Sequence, residues 1–375
     1  MRSGLSICRV THALYPDVVG GHAIFCSDLS ARQAKLGHHI HLFTARRDDL
    51  PRDGRTRDGY RITRLDSVWM PWDSLGMANP VTPTLYGAVA QARWDLVDAH
   101  AQLFWTTALS VKAALDAGRP VVITVHGVLA LRDWLANISQ KLYLLSVGSW
   151  ALRNCSRVVC LTKSDAEQIV SLGVTKPKIR VIPIAIDPRA YRPREVKSDL
   201  IVWAGRMVPE KGLEVLLEAV AITRRKKKVR LLLVGDGPIR NKLIAVSNRL
   251  HITGSVTFVD NLPRSEVSRV LGGAGIFVLP SLKEGLPMTL LEAMASSNAI
   301  VASKLASIEE TLGDAGLYFP PGNPVELADT LIRAMSDPEL RRQKGRASRE
   351  IVEERFSWDT VLPQLEDLYR ELVAQ

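Results

Sequence analysis

Short apolar runs alternate along this chain with segments in which apolar residues recur every three or four positions. Residues 5–12 read as a buried strand, followed by Gly20-Gly21 in a loop. A helix then places Phe25, Leu29, Arg32 and Leu36 on one stripe, with Arg32 the polar exception, and Gly37 stops it just past its last turn. Residues 40–44, 60–65, 95–99, 120–125 and 157–161 supply further short strands, and Ser164-Asp165-Ala166-Glu167 reads as a capping box opening another helix. The pattern restarts at 200–204, with a stripe of Leu213, Leu216, Leu217 and Val220 and strands over 229–234, 256–259 and 276–279. A last helix over 359–373 carries Val361, Leu365, Leu368 and Leu372 on one face. Uniformly apolar strands alternating with amphipathic helices predict parallel sheets covered on both faces. Two such series predict an α/β protein of two doubly wound domains, joined by the proline-spaced stretch 183–193. Ligands of such sheets sit beyond the C-terminal strand ends and at helix N-termini, so a cleft between the domains is the expected site.

Composition narrows the class. The 375 residues, 46% hydrophobic and 23% charged, suffice for two or three domains, and Gly (25) and Pro (20) are too few for a low-complexity chain. No apolar stretch reaches the ~18–20 residues that span a bilayer. Arg9 interrupts the N-terminal apolar run, so neither a secretory leader nor an integral membrane protein is expected. The four cysteines (Cys8, Cys26, Cys155, Cys160) show neither metal-type nor disulfide-framework spacing, which fits a reducing cytoplasm. Charge is uneven: Lys and Arg outnumber Asp and Glu by 25 to 15 through residue 194 and balance at 24 to 24 after it. An anionic partner of the first half would explain this, and so would a solvated basic surface. The run Arg224-Arg225-Lys226-Lys227-Lys228 lies in the neutral half and reads as a helix end and loop; no nucleic-acid motif accompanies it.

Several strand-to-helix turns carry candidate chemistry. The strand ending Val278-Leu279-Pro280 runs into Ser281-Leu282-Lys283-Glu284-Gly285-Leu286-Pro287, and Pro287 suits a first helical turn. Glu284 then precedes the helix, Glu292 lies more than one turn inside it, and amides near Gly285 and Leu286 can face an anion. Glycosidase carboxylates flank one bond at ~5–9.5 Å, whereas eight helical residues rise ~12 Å. The spacing therefore favours carboxylates on different parts of one elongated ligand, although a capping acid and a surface acid also fit. In Gly205-Arg206-Met207-Val208-Pro209-Glu210-Lys211-Gly212, Arg206 and Lys211 follow a strand end, where two cations suit a diphosphate leaving group or stand as ordinary surface charges. Gly20-Gly21 permit close backbone approach or form a plain turn. His100 and His126 end strands, where a histidine is more often structural than catalytic. Gly235-Asp236-Gly237-Pro238 lacks a third glycine, Arg240 standing in its place, so it does not read as a dinucleotide fingerprint. Asp-x-Asp is absent from the sequence, so a metal-held diphosphate is not expected.

The segment Glu284-Gly285-Leu286 to Glu292-Ala293-Met294-Ala295 closely resembles the Glu, seven residues, Glu signature of the retaining glycosyltransferases of family 4, which have the GT-B fold. Nearly the whole chain shares the resemblance. It implies two Rossmann-like domains facing across a cleft: an acceptor-binding domain over 1–194, a nucleotide-sugar-binding domain over 195–356, and a helix over 357–375 crossing back to the first. It implies catalytic roles for Glu284, His100, Arg206 and Lys211, and substrate binding by Gly20, Gly21, His126, Gly205, Gly285, Leu286 and Glu292. Glu284 would sit beside the donor sugar, Glu292 would bind the ribose hydroxyls, and Arg206 and Lys211 would clamp the diphosphate. His100 would lie near the donor sugar or the acceptor, and Val259-Asp260-Asn261-Leu262 near the base. The implied activity is transfer of a hexose-type sugar from a nucleotide-diphosphate sugar, with no metal or other cofactor, to a lipid-linked or glycan acceptor in cell-surface polysaccharide or glycolipid synthesis. A non-catalytic nucleotide-sugar-binding partner of a glycan assembly complex is the alternative, and intact Glu284, Glu292, Arg206 and Lys211 argue against it. A phosphorylase-like reading lacks a lysine in a pyridoxal phosphate context. Two departures stand out: Ile182-Pro183-Ile184-Ala185-Ile186-Asp187 replaces I-P-N-G-V-D, and Lys304-Leu305-Ala306-Ser307-Ile308-Glu309-Glu310 replaces a glycine-rich segment.

Acceptor recognition falls to the first half. Trp69, Trp72, Trp94, Trp105, Trp134 and Trp150 lie there, and the stretch 129–152 mixes Leu, Trp and Tyr with Arg132 and Lys141. An amphipathic helix on the sheet accounts for this stretch, as does an interfacial one. An anionic membrane surface is thus a further expected partner, nucleic acid is not, and the expected place is the cytoplasm, peripheral to the inner face of the cell membrane.

Overall fold

A computed structural model describes residues 4–18, 20–47, 50–56, 58–69, 80–91, 93–127, 138, 141–193 and 197–375. Trp72, Arg132 and Trp134 of the expected acceptor side lie outside the described residues. The chain divides into two units, Met1–Pro183 with Leu362–Gln375, and Ile184–Val361. Residues 184–194, expected at the end of the N-terminal domain, belong to the second unit.

The first unit contains β1 (Ser6–Val10), β2 (His39–Ala45), β3 (Asp53–Arg55), β4 (Arg61–Leu65), β5 (Val68–Trp69), β6 (Pro80–Val81), β7 (Leu96–His100), β8 (Val121–Val125), β9 (Arg157–Cys160) and β10 (Ile179–Val181). Eight of these form one sheet in the order β10-β9-β8-β7-β1-β2-β4-β3. Its pairs are parallel apart from the edge pair β3–β4, and β5 and β6 pair antiparallel separately. β7 and β8 are buried at every position, as strands covered on both faces must be, and Val97, Val121, Ile123, Val125 and Val158 share one core. The Gly21–Lys35 helix buries Ala23, Phe25, Cys26, Leu29, Ser30 and Gln33. Of the predicted stripe, Arg32 is only half-buried and Leu36 is exposed. The buried face is displaced toward Ser30 and Gln33 because the buried Arg9 of β1 donates hydrogen bonds to both side chains. The cap of the Lys163–Ser171 helix also differs: Thr162 Oγ1, rather than Ser164, accepts from the Asp165 amide.

The second unit holds β11 (Lys197–Ala204), β12 (Arg230–Val234), β13 (Val256–Val259), β14 (Ala274–Leu279), β15 (Ala299–Ser303) and β16 (Gly316–Phe319). They pair in parallel in the order β13-β12-β11-β14-β15-β16. The Leu213–Thr223 helix buries the predicted Leu213, Leu216, Leu217 and Val220, each contributing ~1.5–3 kcal/mol of apolar burial. The Met288–Ala295 helix follows β14, with Pro287 at its N-cap instead of in its first turn. The final helix, Trp358–Val373, starts in the second unit and ends in the first. Its Val361, Leu365, Leu368 and Leu372 are buried, as their spacing predicts.

Candidate active site

In the second unit, the loops that leave β11, β12 and β14 at their C-terminal ends are laced together. The Gly205 amide donates to the Val234 carbonyl at 3.0 Å, the Met207 amide to the Asp236 carbonyl at 2.8 Å, and the Leu282 amide to the Glu210 carbonyl at 2.8 Å. Two of these approaches require glycine. At Gly212 (φ 64°) a Cβ would stand 2.0 Å from the Pro280 carbonyl oxygen, and at Gly235 (φ 131°) 1.9 Å from that of Gly205. Gly235 is therefore explained by loop packing. The close fit brings Lys211 Nζ to Glu284 Oε1 at 2.5 Å, with side chains 22% and 8% exposed. Ser281 Oγ donates to the same carboxylate oxygen at 2.8 Å, and Ser307 Oγ to the Glu284 carbonyl at 2.9 Å. Arg206 is exposed in the same turn. A cation and a carboxylate are thus prearranged beside a second cation at a strand end.

Glu292 is buried. Its Oε1 accepts from the Tyr191 hydroxyl at 2.8 Å, and Arg264 Nε donates to that hydroxyl at 3.4 Å. Arg349 Nη1 donates to the carbonyls of Tyr191 (2.8 Å) and Ala295 (2.6 Å), tying the segment around Tyr191 to the end of the Met288–Ala295 helix. Burial, and then the Glu292 charge, raise the Tyr191 phenol, so it remains a donor. Neither Glu284 nor Glu292 is a capping or solvated surface acid.

In the first unit, β8, β7 and β1 are adjacent, and Arg9 and Asp98 are register partners across β1 and β7. Arg9 Nε meets Asp98 Oδ2 at 2.9 Å with both side chains fully buried. Arg9 also donates to Ser30 Oγ (2.7 Å) and Gln33 Oε1 (2.5 Å), and the Tyr369 hydroxyl donates to Asp98 Oδ2 at 2.8 Å. His100, two residues along β7 and so on the same face, places Nε2 3.0 Å from Asp98 Oδ2 and Nδ1 3.1 Å from His126 Nε2. Burial opposes both charges, yet the charges of His100 and Arg9 hold the Asp98 carboxyl below its ordinary range, and Asp98 raises His100 to about 10. Burial, with the charges of His22 and His100, keeps His126 well below its ordinary value. Charged His100 therefore donates to neutral His126. The turn after His100 is taken by Ala101 in the left-handed region (φ 69°), and Thr107 Oγ1 holds it by donating to the His100 and Ala101 carbonyls at 3.0 and 2.7 Å. His100 is fully enclosed, with both ring nitrogens taken up inside the protein, and half-buried His126 is the ring that a ligand can reach. Gly20 has extended backbone (φ 178°) that any residue adopts, and a Cβ there would meet open space.

Residues 19–190 match the family described as Glycosyltransferase Family 4, and residues 189–351 match Glycosyl transferases group 1. The chain belongs to the family 4 glycosyltransferases of the GT-B fold. Among curated relatives, this glycosyltransferase is 29% identical to the MMP alpha-(1->4)-mannosyltransferase of Mycolicibacterium hassiacum, over 95% of this chain and 96% of that protein. It is 28% identical to the 2-deoxystreptamine glucosyltransferase of Streptomyces kanamyceticus, over 88% and 93%. Among solved structures, sucrose-phosphate synthase from Thermosynechococcus elongatus superposes with a TM-score of 0.83 at 21% identity, covering 99% of each chain. Anabaena Alr3699/HepE in complex with UDP-glucose superposes with a TM-score of 0.79 at 18% identity, covering 98% of this chain and all of that one.

The glycosyltransferase's clusters include residues that the sequence reading passed over: Tyr191, Ser281, Asp98 and Arg9. Signals for some of them exist. Arg9 and Asp98 are single charges in otherwise apolar neighbouring strands, and Asp98 and His100 are two apart on one strand face. Nothing in the spacing points to Tyr191, 101 residues from Glu292.

Proposed function

We propose that this glycosyltransferase moves a hexose-type sugar from a nucleotide-diphosphate donor to a lipid-linked or glycan acceptor, with retention of configuration at the anomeric carbon. The observation that carries the reading is the 2.5 Å pairing of Lys211 with Glu284 in the turn that also presents Arg206. The bond from the anomeric carbon to the leaving phosphate oxygen breaks with its electron pair going to that oxygen. Lys211 and Arg206 neutralise the charge as it develops, a differential stabilisation of the transition state. Glu284 offers its carboxylate to the positive character of the sugar. The acceptor oxygen bonds to the anomeric carbon on the face the phosphate leaves, and its proton passes to a leaving-phosphate oxygen. Glu292, held by Tyr191, takes the ribose hydroxyls, and no step requires a divalent ion. UDP-glucose in the HepE complex supports a donor of this class.

The first unit takes the acceptor, with His126 held in one tautomer by His100. Its basic excess suits an anionic or lipid-linked acceptor on the inner face of the cell membrane, and no helix among the described residues is long and apolar enough to cross a membrane. The test is turnover with UDP-, GDP- and ADP-hexoses, the product's anomeric configuration being read by NMR. Retention is expected, with kcat falling ~10²–10³-fold in Lys211→Met. An inverted product, or full activity in that variant, would overturn the reading.

A further inference from the structure

The ends of β1, β7 and β8 hold a group of side chains that sugar transfer does not account for. His22 and Cys26 lie one turn apart on the Gly21–Lys35 helix, so both project from one face. His126 enters from the residue after β8, where Gly127 at φ 86° turns the chain away. One ligand atom from each of these three residues lies within 4.8 Å of the other two. Cys26 is fully buried, whereas His22 and His126 are half-buried, so solvent reaches the cluster from one side.

We propose that His22, Cys26 and His126 form a binding site for a borderline-soft divalent cation of the Zn²⁺ class. Two imidazoles and one thiolate select such an ion over Mg²⁺ or Ca²⁺, which take oxygen donors. Three protein ligands with one open side match a four-coordinate Zn²⁺ whose last position is filled by water. Bonds of ~2.0–2.3 Å place tetrahedral ligand atoms roughly 3.3–3.8 Å apart, so donors already within 4.8 Å of one another need to close in by no more than about 1.5 Å. Outer partners that orient the ligand rings are in place. Thr11 Oγ1 lies 2.8 Å from His22 Nε2, and His126 Nε2 lies 3.1 Å from His100 Nδ1; ligation through His126 Nδ1 reverses that hydrogen bond, His126 Nε2–H donating to a His100 that gives up its Nδ1 proton and keeps its Nε2–H on Asp98. His12 stacks on His22 with ring centroids 4.6 Å apart and closes another side. Counting cysteines alone hides this site, because it takes one cysteine and two histidines from separate elements. Occupancy would withdraw His126 from the acceptor and make the cation an inhibitor; that consequence rests on the function proposed above, whereas binding itself does not.

The test uses the purified full chain, stripped with chelator and titrated with Co²⁺ alone. One equivalent should bind with a thiolate-to-cobalt absorption band in the near ultraviolet, and Zn²⁺ should displace it. Cys26→Ser should abolish the band, and His22→Gln should weaken Co²⁺ binding by ~10-fold or more, with circular dichroism showing that both variants are folded. His22→Gln keeps the helix and the buried thiol, so it decides the matter if Cys26→Ser fails to fold. Absence of stoichiometric uptake, uptake without a thiolate band, or a band unchanged in either folded variant would overturn the site, and none of these outcomes bears on donor turnover.

Discussion

Replacing Asp98 by Asn tests the buried frame of the first unit. Asp98 Oδ2 takes Arg9, His100 and the Tyr369 hydroxyl, and the Arg9–Asp98 pair is wholly enclosed. Asn keeps the size but removes the charge, leaving the Arg9 guanidinium with only the neutral oxygens of Ser30 and Gln33 as further partners. Breaking a buried pair by removing one partner costs ~3–5 kcal/mol, a large share of the ~5–15 kcal/mol of an ordinary domain. With a urea m-value of ~1–3 kcal/mol/M, the unfolding midpoint of the first unit should fall by roughly 1–5 M. Tyr369→Phe, which deletes one hydrogen bond to a charged group, should cost about 1.5–3 kcal/mol. Urea titration with hydrogen exchange read on β1 and β7 peptides assigns the loss to this unit. A shift below about 0.5 M at unchanged m would refute the idea that Asp98 neutralises a buried Arg9.

Gly212→Ala forces a left-handed alanine and a Cβ 2.0 Å from the Pro280 carbonyl; a loss of more than ~2 kcal/mol is expected, seen as a fall in Tm of about 5 °C or more, and an unchanged melt would contradict the close loop packing. Tyr191→Phe removes the donor to buried Glu292; it should cost about 1.5–3 kcal/mol and weaken nucleotide-sugar binding, both measurable by thermal shift, whereas a wild-type melt and ligand response would show the hydrogen bond to be idle. Burial raises the Glu366 carboxyl, but hydrogen bonds from His38 and Gln33 outweigh it and hold it below its ordinary value. A lowered folded pKa means that this stability is present above the unfolded value of ~4.3 and is lost as pH falls through the folded one. Glu366→Gln should therefore flatten the decline in stability between about pH 5 and 3, and an identical acid slope in urea titrations would count against it.

The second unit's fold was legible because its helices bury a stripe of period 3.6, as at Leu213, Leu216, Leu217 and Val220, and its central strands carry apolar runs such as 200–204 and 274–279. The helix after β1 is less legible, because Ser30 and Gln33 on its buried face serve a buried arginine, whereas a period of apolar residues marks polar ones as solvent-facing. In the sequence alone, Arg9 is only a break in an apolar run. Its partner becomes visible once the register pairs it with Asp98. Strands as short as β3 and β10, three residues each, carry no period at all. Glu284, Glu292, Arg206 and Lys211 were legible through family resemblance. The Lys211–Glu284 contact joins residues 73 apart and depends on glycine-mediated packing of three loops, which no local spacing encodes.

In the proposed mechanism, fixed cations of the second unit hold the donor's diphosphate without a divalent ion. Calorimetric titration of UDP, GDP and ADP into the full chain in excess EDTA tests it most directly, alongside Lys211→Met, Arg206→Met and the double variant. One-to-one binding of at least one of these nucleotides in chelator is expected, weakened ~10-fold or more by each single substitution. Binding that appears only with added divalent ion, or that persists at full strength in the double variant, would contradict it.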